Sequence, residues 1–570
     1  MPGSRTIGNL WRGSLSAGHT DPAYLHELDG EWRPLTRREA AAAVDELANG
    51  LLALGVAKGD AFGLLARTSI DWALFDFALA LVGAVCAPIY SSSATRDVQY
   101  VLEHSRAVGV LVEDDEQRAK TDGFEGRVLR FADLPALREQ GRVFAAANPG
   151  ALDERAASID EDDLYTFIYT SGTTGPPKAC MIRHRNYYAM VQAGDEIEDN
   201  RTEPGDVMLL YLPLAHNYGR LMHLSAAYKG YTLALLSDPL RAGAELSRVR
   251  PTLFPSVPRV YEKIHAAVAA GFAEQTGPRR RLVDWALEVG RRVSALRQRG
   301  RPVPLGLALQ HRLADRLVYA KVKERLGGRL RFVNSGGAPL APEIAEFFAA
   351  IDIPIMEGYG LSEVTCAATV NRASDYRFGT VGKPMPGVEL RIADDGEILI
   401  RSPTVFAGYY HEPEATAEVL DAEGFVHTGD VGHLDEDGFL VITDRKKDII
   451  VTAGGKNVAP QNLENELKTA PVISQALVIG DRRPYIAALV TVDPERAGTM
   501  TPEELRQAVS SAIDRVNADR SRYEQIKRFA VLPRDFSLEH DELTATLKLR
   551  RRVILEHFAD EVDALYAESS

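Results

Sequence analysis

The run Tyr169–Lys178, YTSGTTGPPK, gathers four hydroxyl side chains, Thr170, Ser171, Thr173 and Thr174, around Gly172 and Gly175 and closes on Lys178. Glycine lets backbone approach a ligand closely, and hydroxyls beside exposed N–H groups offer neutral donors to phosphate oxygens. The run follows LYTFIYT, an apolar stretch of strand length, so this chemistry sits at a strand end. The GxxxxGKS and GxxxxGKT forms of a triphosphate loop are absent, since GGKN at 454–457 ends in Asn. GxGxxG is absent too, which removes support from kinase and dinucleotide-fold readings. A plain Ser/Thr/Gly surface loop is the competing reading of the run taken alone.

Other chemistry-capable side chains stand beside glycine turns further on. Tyr359 and Glu363 belong to EGYGLSE (357–363), and Asp430 follows Gly429 in HTGDVG (427–432). Arg445 comes fifteen positions later, and Lys548 opens a basic cluster between Leu547 and Leu549. Each has a bland alternative: a helix-start carboxylate, a packed ring, a turn-forming aspartate, a surface ion pair, a solvated charged face.

The elements that must hold these groups alternate. The first 150 residues mix amphipathic helices such as REAAAAVDELANGLLALG with the apolar runs AFGLLAR and VGVLVED, the pattern of βαβ units. VMLLYLPL, YTLALLS, RLRFVNSGGAPL and IPIMEGYG continue the strands, RHRNYYAMVQAGDEI, further on from the loop, reads as a helix, and 258–326 is mostly helical. Parallel sheets of this kind take ligands at the carboxyl ends of their strands. From about residue 380, VELRIADDGEILIRS and FVHTGDVGHLDEDGFLVITD predict hairpins and antiparallel, barrel-like structure. A small α+β unit follows. The expected fold is α/β: a large domain over 1–444, of two βα-layered parallel-rich sheets with a β-barrel subdomain, and an α+β domain over 445–570.

Bulk properties narrow the function. The 570 residues are 45% hydrophobic and carry a formal charge of −14, which argues for a small substrate and against nucleic acid. Cys86, Cys180 and Cys366 are isolated, with no CxxC spacing, which suits a reducing cytoplasm. The N-terminus lacks the apolar core of a signal peptide, and FALALVGAVCAPIY is too short to span a bilayer and reads as a buried helix running into a strand.

YTSGTTGPPK resembles the phosphate-loop signature of the adenylate-forming superfamily, which unites acyl-CoA synthetases, luciferases and peptide-synthetase adenylation domains; Ala179 stands where Gly is common. Further resemblances follow in family order: NSGGAPL (334–340) to the adenine loop, EGYGLSE with Ser362 in place of the commoner Thr, HTGDVG, the linker DRKKDIIVTAGGKNVAP (444–460) and the lysine motif TATLKLRR (544–551). PTLFPSVPRVYEKI (251–264), the linker and YLPLAHNYGR (211–220) resemble the long-chain fatty acyl-CoA synthetase branch, although Asn217 and Tyr218 depart from its pattern.

The resemblance implies an ATP-dependent fatty acid–CoA ligase acting through an acyl-adenylate. It places Thr170, Ser171, Gly172, Thr173, Thr174, Gly175 and Lys178 on phosphate. Gly337, Ala338, Glu357, Gly358, Tyr359, Gly360, Ser362, Asp430 and Arg445 fall on the nucleotide. Glu363, with Thr173, falls on Mg²⁺, His216 and Tyr218 on the acyl group, Lys447 on the hinge of a mobile C-terminal domain, and Gly454 and Gly455 on CoA. Lys548 becomes the catalytic lysine of the first half-reaction. A carrier-protein phosphopantetheine as acceptor, or a non-catalytic binder on the same fold, are the rival expectations. Membrane contact is expected to be peripheral at most.

Overall fold

The structure, a computed structural model, describes all residues except 1–3, 171–175, 198, 200, 495–497, 499, 519, 538, 545–547 and 568–570. Two large sheets dominate. A six-stranded sheet is built on parallel pairs, with Ala61–Leu65 between Gly109–Val112 and Val85–Ile89, and Leu164–Thr170 next to the latter. A nine-stranded sheet runs Ile355–Tyr359, Phe332–Ser335, Leu253–Ser256, Val207–Leu210 and Thr232–Leu235 in parallel through its middle, with antiparallel pairs at both edges. The expected doubly layered, parallel-rich α/β architecture is therefore present.

The helix Ile70–Val82 is apolar nearly all round because both its sides are covered. Ile70–Val82 starts where Ser69 accepts from the Trp72 N–H and stops at Gly83, whose φ of +73° is left-handed. Its run into the strand Val85–Ile89 bears out the reading of FALALVGAVCAPIY. Asp76 of this helix forms a fully buried ion pair with Arg220, on the helix Asn217–Lys229 beside the other sheet. Tyr165 Oη donates to Asp76 at 2.6 Å and Arg220 Nη1 to Thr166 at 2.7 Å, so one network registers both sheets. Removing one partner of such a pair costs about 3–5 kcal/mol, because the other charge stays buried.

The expected helix RHRNYYAMVQAGDEI is present as His184–Glu196. Between the loop and that helix lies a strand not read from the sequence, Lys178–Arg183, antiparallel to Leu164–Thr170 with Thr170 opposite Lys178. Its alternate residues face a covered surface on both sides, so no polar alternation marks it.

The hairpin turns after residue 380 form a four-stranded antiparallel sheet, Glu389–Ile392, Glu397–Arg401, Val426–Leu434 and Leu440–Arg445. Beyond it, Ile473–Ile479, Ile486–Val492 and Ile526–Val531 make a three-stranded sheet with its own core, flanked by the helices Pro460–Leu467 and Pro502–Asn517. All three cysteines are free thiols. Among the described residues, no helix is long and apolar enough to cross a membrane.

Candidate active site

A cavity of about 1490 Å³ opens where the carboxyl ends of the strands meet. Ile89, Thr170, Ser335 and Tyr359, each at the end of a parallel-sheet strand, border it. Its size exceeds what one drug-sized ligand needs, so it suits more than one substrate.

The phosphate-loop hairpin reaches it from one side. Of its residues, Thr170 and Lys178 border the cavity; Ser171, Gly172, Thr173, Thr174 and Gly175 lie outside the described residues. The segment Ala407–Tyr410 pairs along the free edge of Lys178–Arg183, through Ala407 N–H to Met181 O at 2.8 Å and Tyr410 N–H to Ala179 O at 2.9 Å. That pairing delivers Tyr409, whose hydroxyl donates to Glu363 Oε1 at 2.6 Å and whose ring centroid lies 5.2 Å from the Lys178 ammonium. Lys178 also lies 3.9 Å from Glu412. Glu363 itself sits in a single 3₁₀ turn, Ser362–Val364, and its carbonyl accepts from Phe406 N–H at 2.9 Å.

The nucleoside side is built by a strand pair. Asp430 and Arg445 are direct cross-strand partners, and the register slips between Val431 and Gly432 to leave them so. Asp430 Oδ1 lies 3.2 Å from Arg445 Nε, and its Oδ2 accepts from Tyr359 Oη at 2.6 Å. Gly429 has a φ of +71° within the strand Val426–Leu434, which selects glycine at this irregular point. Gly360 is required differently: a Cβ there would stand 1.7 Å from the Cys366 carbonyl oxygen. Gly337, Gly358, Tyr359, Gly360, Ser362 and Arg445 border the cavity.

Three of the expected nucleotide residues do not. Ala338 is exposed outside the lining, and Asp430 stands one layer back, holding Tyr359 and Arg445. Glu357 is buried beneath the glycine turn and accepts from Leu340 N–H at 3.3 Å. Burial pushes its carboxyl up to about 8, so it is a neutral acid over most of the physiological range.

His216 caps the helix Asn217–Lys229, its Nδ1 accepting from Tyr218 N–H at 3.1 Å, which leaves Nε2 as the protonated ring nitrogen. Burial and the nearby Lys548 charge push its pKa down to about 4, so the ring is neutral. The Tyr218 ring packs over Gly336, where a Cβ would stand 3.3 Å from it.

Lys548 comes from the small domain. It sits on a turn closed by Thr544 N–H to Lys548 O at 2.8 Å, with Leu543 bridged to Leu549. The ammonium keeps water contact through the open cleft, yet protein surrounds it on most sides. That surrounding protein, with the Arg445 guanidinium, pushes its pKa down to about 8 against the pull of Asp430 and Glu363. The small domain is held in this pose by Arg259, which donates to the Ser474 carbonyl and Oγ, both at 2.9 Å. Glu262 lies 3.8 Å from Lys468, and Arg96 lies 3.6 Å from Asp541. Lys447 borders the cavity, whereas Gly454 and Gly455 form an exposed hairpin turn away from it.

Sequence reasoning missed Tyr409, Thr428 and Arg259. Thr428 borders the cavity and receives the Asp430 N–H at 3.1 Å; its place beside Gly429 was the available signal. Arg259 lies within PTLFPSVPRVYEKI, but no local pattern pairs it with Ser474; Tyr409 carried no signal, because it acts through a contact between segments distant in sequence.

A cavity at the strand ends with room for more than one substrate, bordered by Thr170, Lys178, Tyr359 and Arg445, the last two held from behind by Asp430, with a lysine entering from a second domain, defines a class. The chain belongs to the AMP-binding enzyme family, whose model matches residues 16–410, with the AMP-binding enzyme C-terminal domain matching 447–570. Within it, the chain is 39% identical to the long-chain-fatty-acid–CoA ligase FadD15 of Mycobacterium bovis, over 96% of this chain and 95% of that protein. It is 30% identical to the long-chain-fatty-acid–CoA ligase ACSBG2 of Mus musculus, over 98% and 93%. Among solved structures, the adenylation domain of a carboxylate reductase from Mycobacterium chelonae superposes with a TM-score of 0.79 at 25% identity, covering 100% of this chain and 92% of that one.

Proposed function

We propose that this chain is an ATP-dependent fatty acid–CoA ligase that uses Lys548 for the first of its two half-reactions. A carboxylate oxygen attacks the α-phosphorus of ATP, and the bond to pyrophosphate breaks. The CoA thiolate then attacks the acyl carbonyl, and AMP leaves. The observation that carries the reading is that Lys548, from the small domain, borders the same cavity as Arg445, Tyr359 and Glu363.

In its protonated form, Lys548 offsets negative charge between the carboxylate and the α-phosphate as the transition state forms. Thr170 and Lys178, with the hydroxyls of 171–175, hold the pyrophosphate end. Tyr359 covers adenine, Arg445 meets the ribose, and Asp430 takes ribose hydroxyls by exchanging one of its present partners. His216, a neutral Nε2–H donor, orients the substrate carboxylate, and Tyr218 walls the acyl entrance. Glu363 fits the role of a single Mg²⁺ ligand. It borders the cavity, and among the described residues no group of three or more His, Cys, Asp or Glu forms a cage of its own. That suits an ion that arrives on phosphate and keeps its waters. When bound, Mg²⁺ supplies neutralisation of phosphate charge. Lys447 serves as the hinge, and after the small domain turns, Gly454 and Gly455 come to the pantetheine. The domain boundary at 444/445 follows from that hinge.

CoA is favoured as acceptor by the ligase relatives, while the carboxylate-reductase likeness keeps a carrier protein as the second reading. A cytoplasmic location goes with the reading, supported by three free thiols. The test is pyrophosphate release over carboxylic acids from acetate to stearate, followed by AMP release on adding CoA or a holo carrier protein. No exchange with any acid refutes the enzyme; AMP release with the carrier alone refutes CoA.

A further inference from the structure

The cavity has an arm that a nucleotide does not need. It runs from His216 along the helix Asn217–Lys229, bordered by Tyr218, Leu221, Met222, Ser225 and Lys229. These positions recur every three or four residues and so form one stripe along the whole helix. Met190, Gly194 and Ile197 face it from the helix His184–Glu196 and the residue after it. At 1.5 Å per residue, His216 to Lys229 spans about 20 Å. An extended chain advances about 1.2 Å per bond, since three backbone bonds cover about 3.5 Å. The arm therefore takes an extended chain of about sixteen bonds.

Its chemistry changes at the far end. The Lys229 side chain is 8% exposed, and its ammonium lies 3.4 Å from both the Gly194 carbonyl oxygen and the Asp195 carboxylate. Arg201 and Arg331 border the cavity there too. A methyl terminus pushed past Lys229 would strip water from these charges without replacing it. Gly194 is the complement. A Cβ at this position meets nothing within 4 Å, and no left-handed φ demands glycine there. A helix disfavours glycine, and a larger side chain here would enter the open space beside the arm.

We infer that Gly194 and Lys229 set the acyl chain length: Gly194 keeps the distal arm open, and Lys229 ends it at a chain of about sixteen carbons. This rests on the ligase reading and adds to it the two residues that set the length limit of the chain.

Each methylene held in the arm is worth about fourfold in kcat/KM. Gly194→Phe fills the open space and shuts out at least two methylenes, so the ratio of palmitate to octanoate should fall by about tenfold or more. Lys229→Met extends the apolar lining and should raise the ratio of the C20 acid to palmitate by about fourfold or more. Pyrophosphate release reads both ratios, and melting temperature establishes that each variant is folded; Gly194→Leu stands in if the phenylalanine unfolds the chain. An unchanged length profile in the folded variants, or an equal loss at every length, overturns the inference. Failure of the wild type to act on any fatty acid overturns the ligase reading instead.

Discussion

Lys548 should give the first half-reaction an alkaline limb near pH 8. The ordinary lysine value is 10.5, and the cleft lowers it to about 8 through desolvation first and the Arg445 charge second. Only the ammonium form can offset charge in the transition state. With a pKa of about 8, about nine-tenths of the enzyme is competent at pH 7 and about one-tenth at pH 9. An unshifted lysine would leave about 97% competent at pH 9. The assay is pyrophosphate exchange without thiol, so CoA ionisation does not enter. kcat/KM, which reports the free enzyme, should fall about tenfold per unit above the limb. kcat should fall later, because bound phosphates stabilise the ammonium. Arg445→Gln removes a cation that lowers the value, so its limb should move alkaline even as ATP affinity drops. Lys548→Ala should abolish the limb and cost about 10²-fold or more, while thioester formation from supplied acyl-adenylate survives. A wild-type limb at pH 10, or a limb at pH 8 that persists in Lys548→Ala, would refute the reasoning.

Glu363→Gln keeps the acceptor for Tyr409 but removes the charge, so the Mg²⁺ concentration needed for half-maximal exchange should rise; an unchanged titration removes it from the metal site. Arg259→Ala deletes two hydrogen bonds to Ser474, each worth about 1.5 kcal/mol, and should slow adenylation by about 10-fold or more while leaving thioester formation intact. Equal loss in both half-reactions would mean that Arg259 does not hold the pose. Glu357 has a folded-state value raised from 4.5 to about 8, so its contribution to stability is full below pH 4.5 and is lost as pH rises through about 8. Glu357→Gln should remove that dependence and be more stable than wild type at pH 8, by on the order of 2 kcal/mol; parallel melting curves across pH 5–8 would contradict it.

Much of the fold was legible because strand and helix are local. Apolar runs followed by amphipathic stretches marked βαβ units, and DDG and DEDG marked the hairpins that became Glu389–Arg445. Lys178–Arg183 was not legible, because a strand covered on both faces shows no alternation and its short length resembles a loop running into a helix.

The sequence by itself determined which groups are present: the hydroxyl loop, the Tyr359, Asp430 and Arg445 set, Glu363 and Lys548, because each sits in a short motif whose residue types and order carry the chemistry. Tertiary structure decided how they combine. Cross-strand register, which no local pattern states, set Asp430 opposite Arg445 and behind Tyr359 rather than on the cavity wall. Edge pairing with Lys178–Arg183 brought Tyr409 between Lys178 and Glu363. Docking of the second domain through Arg259 brought one lysine of a basic cluster into a cleft shared with Arg445, where surrounding protein thins its water. Reactivity here follows from desolvation and charge proximity, and both are sums over neighbours that only the folded chain assembles.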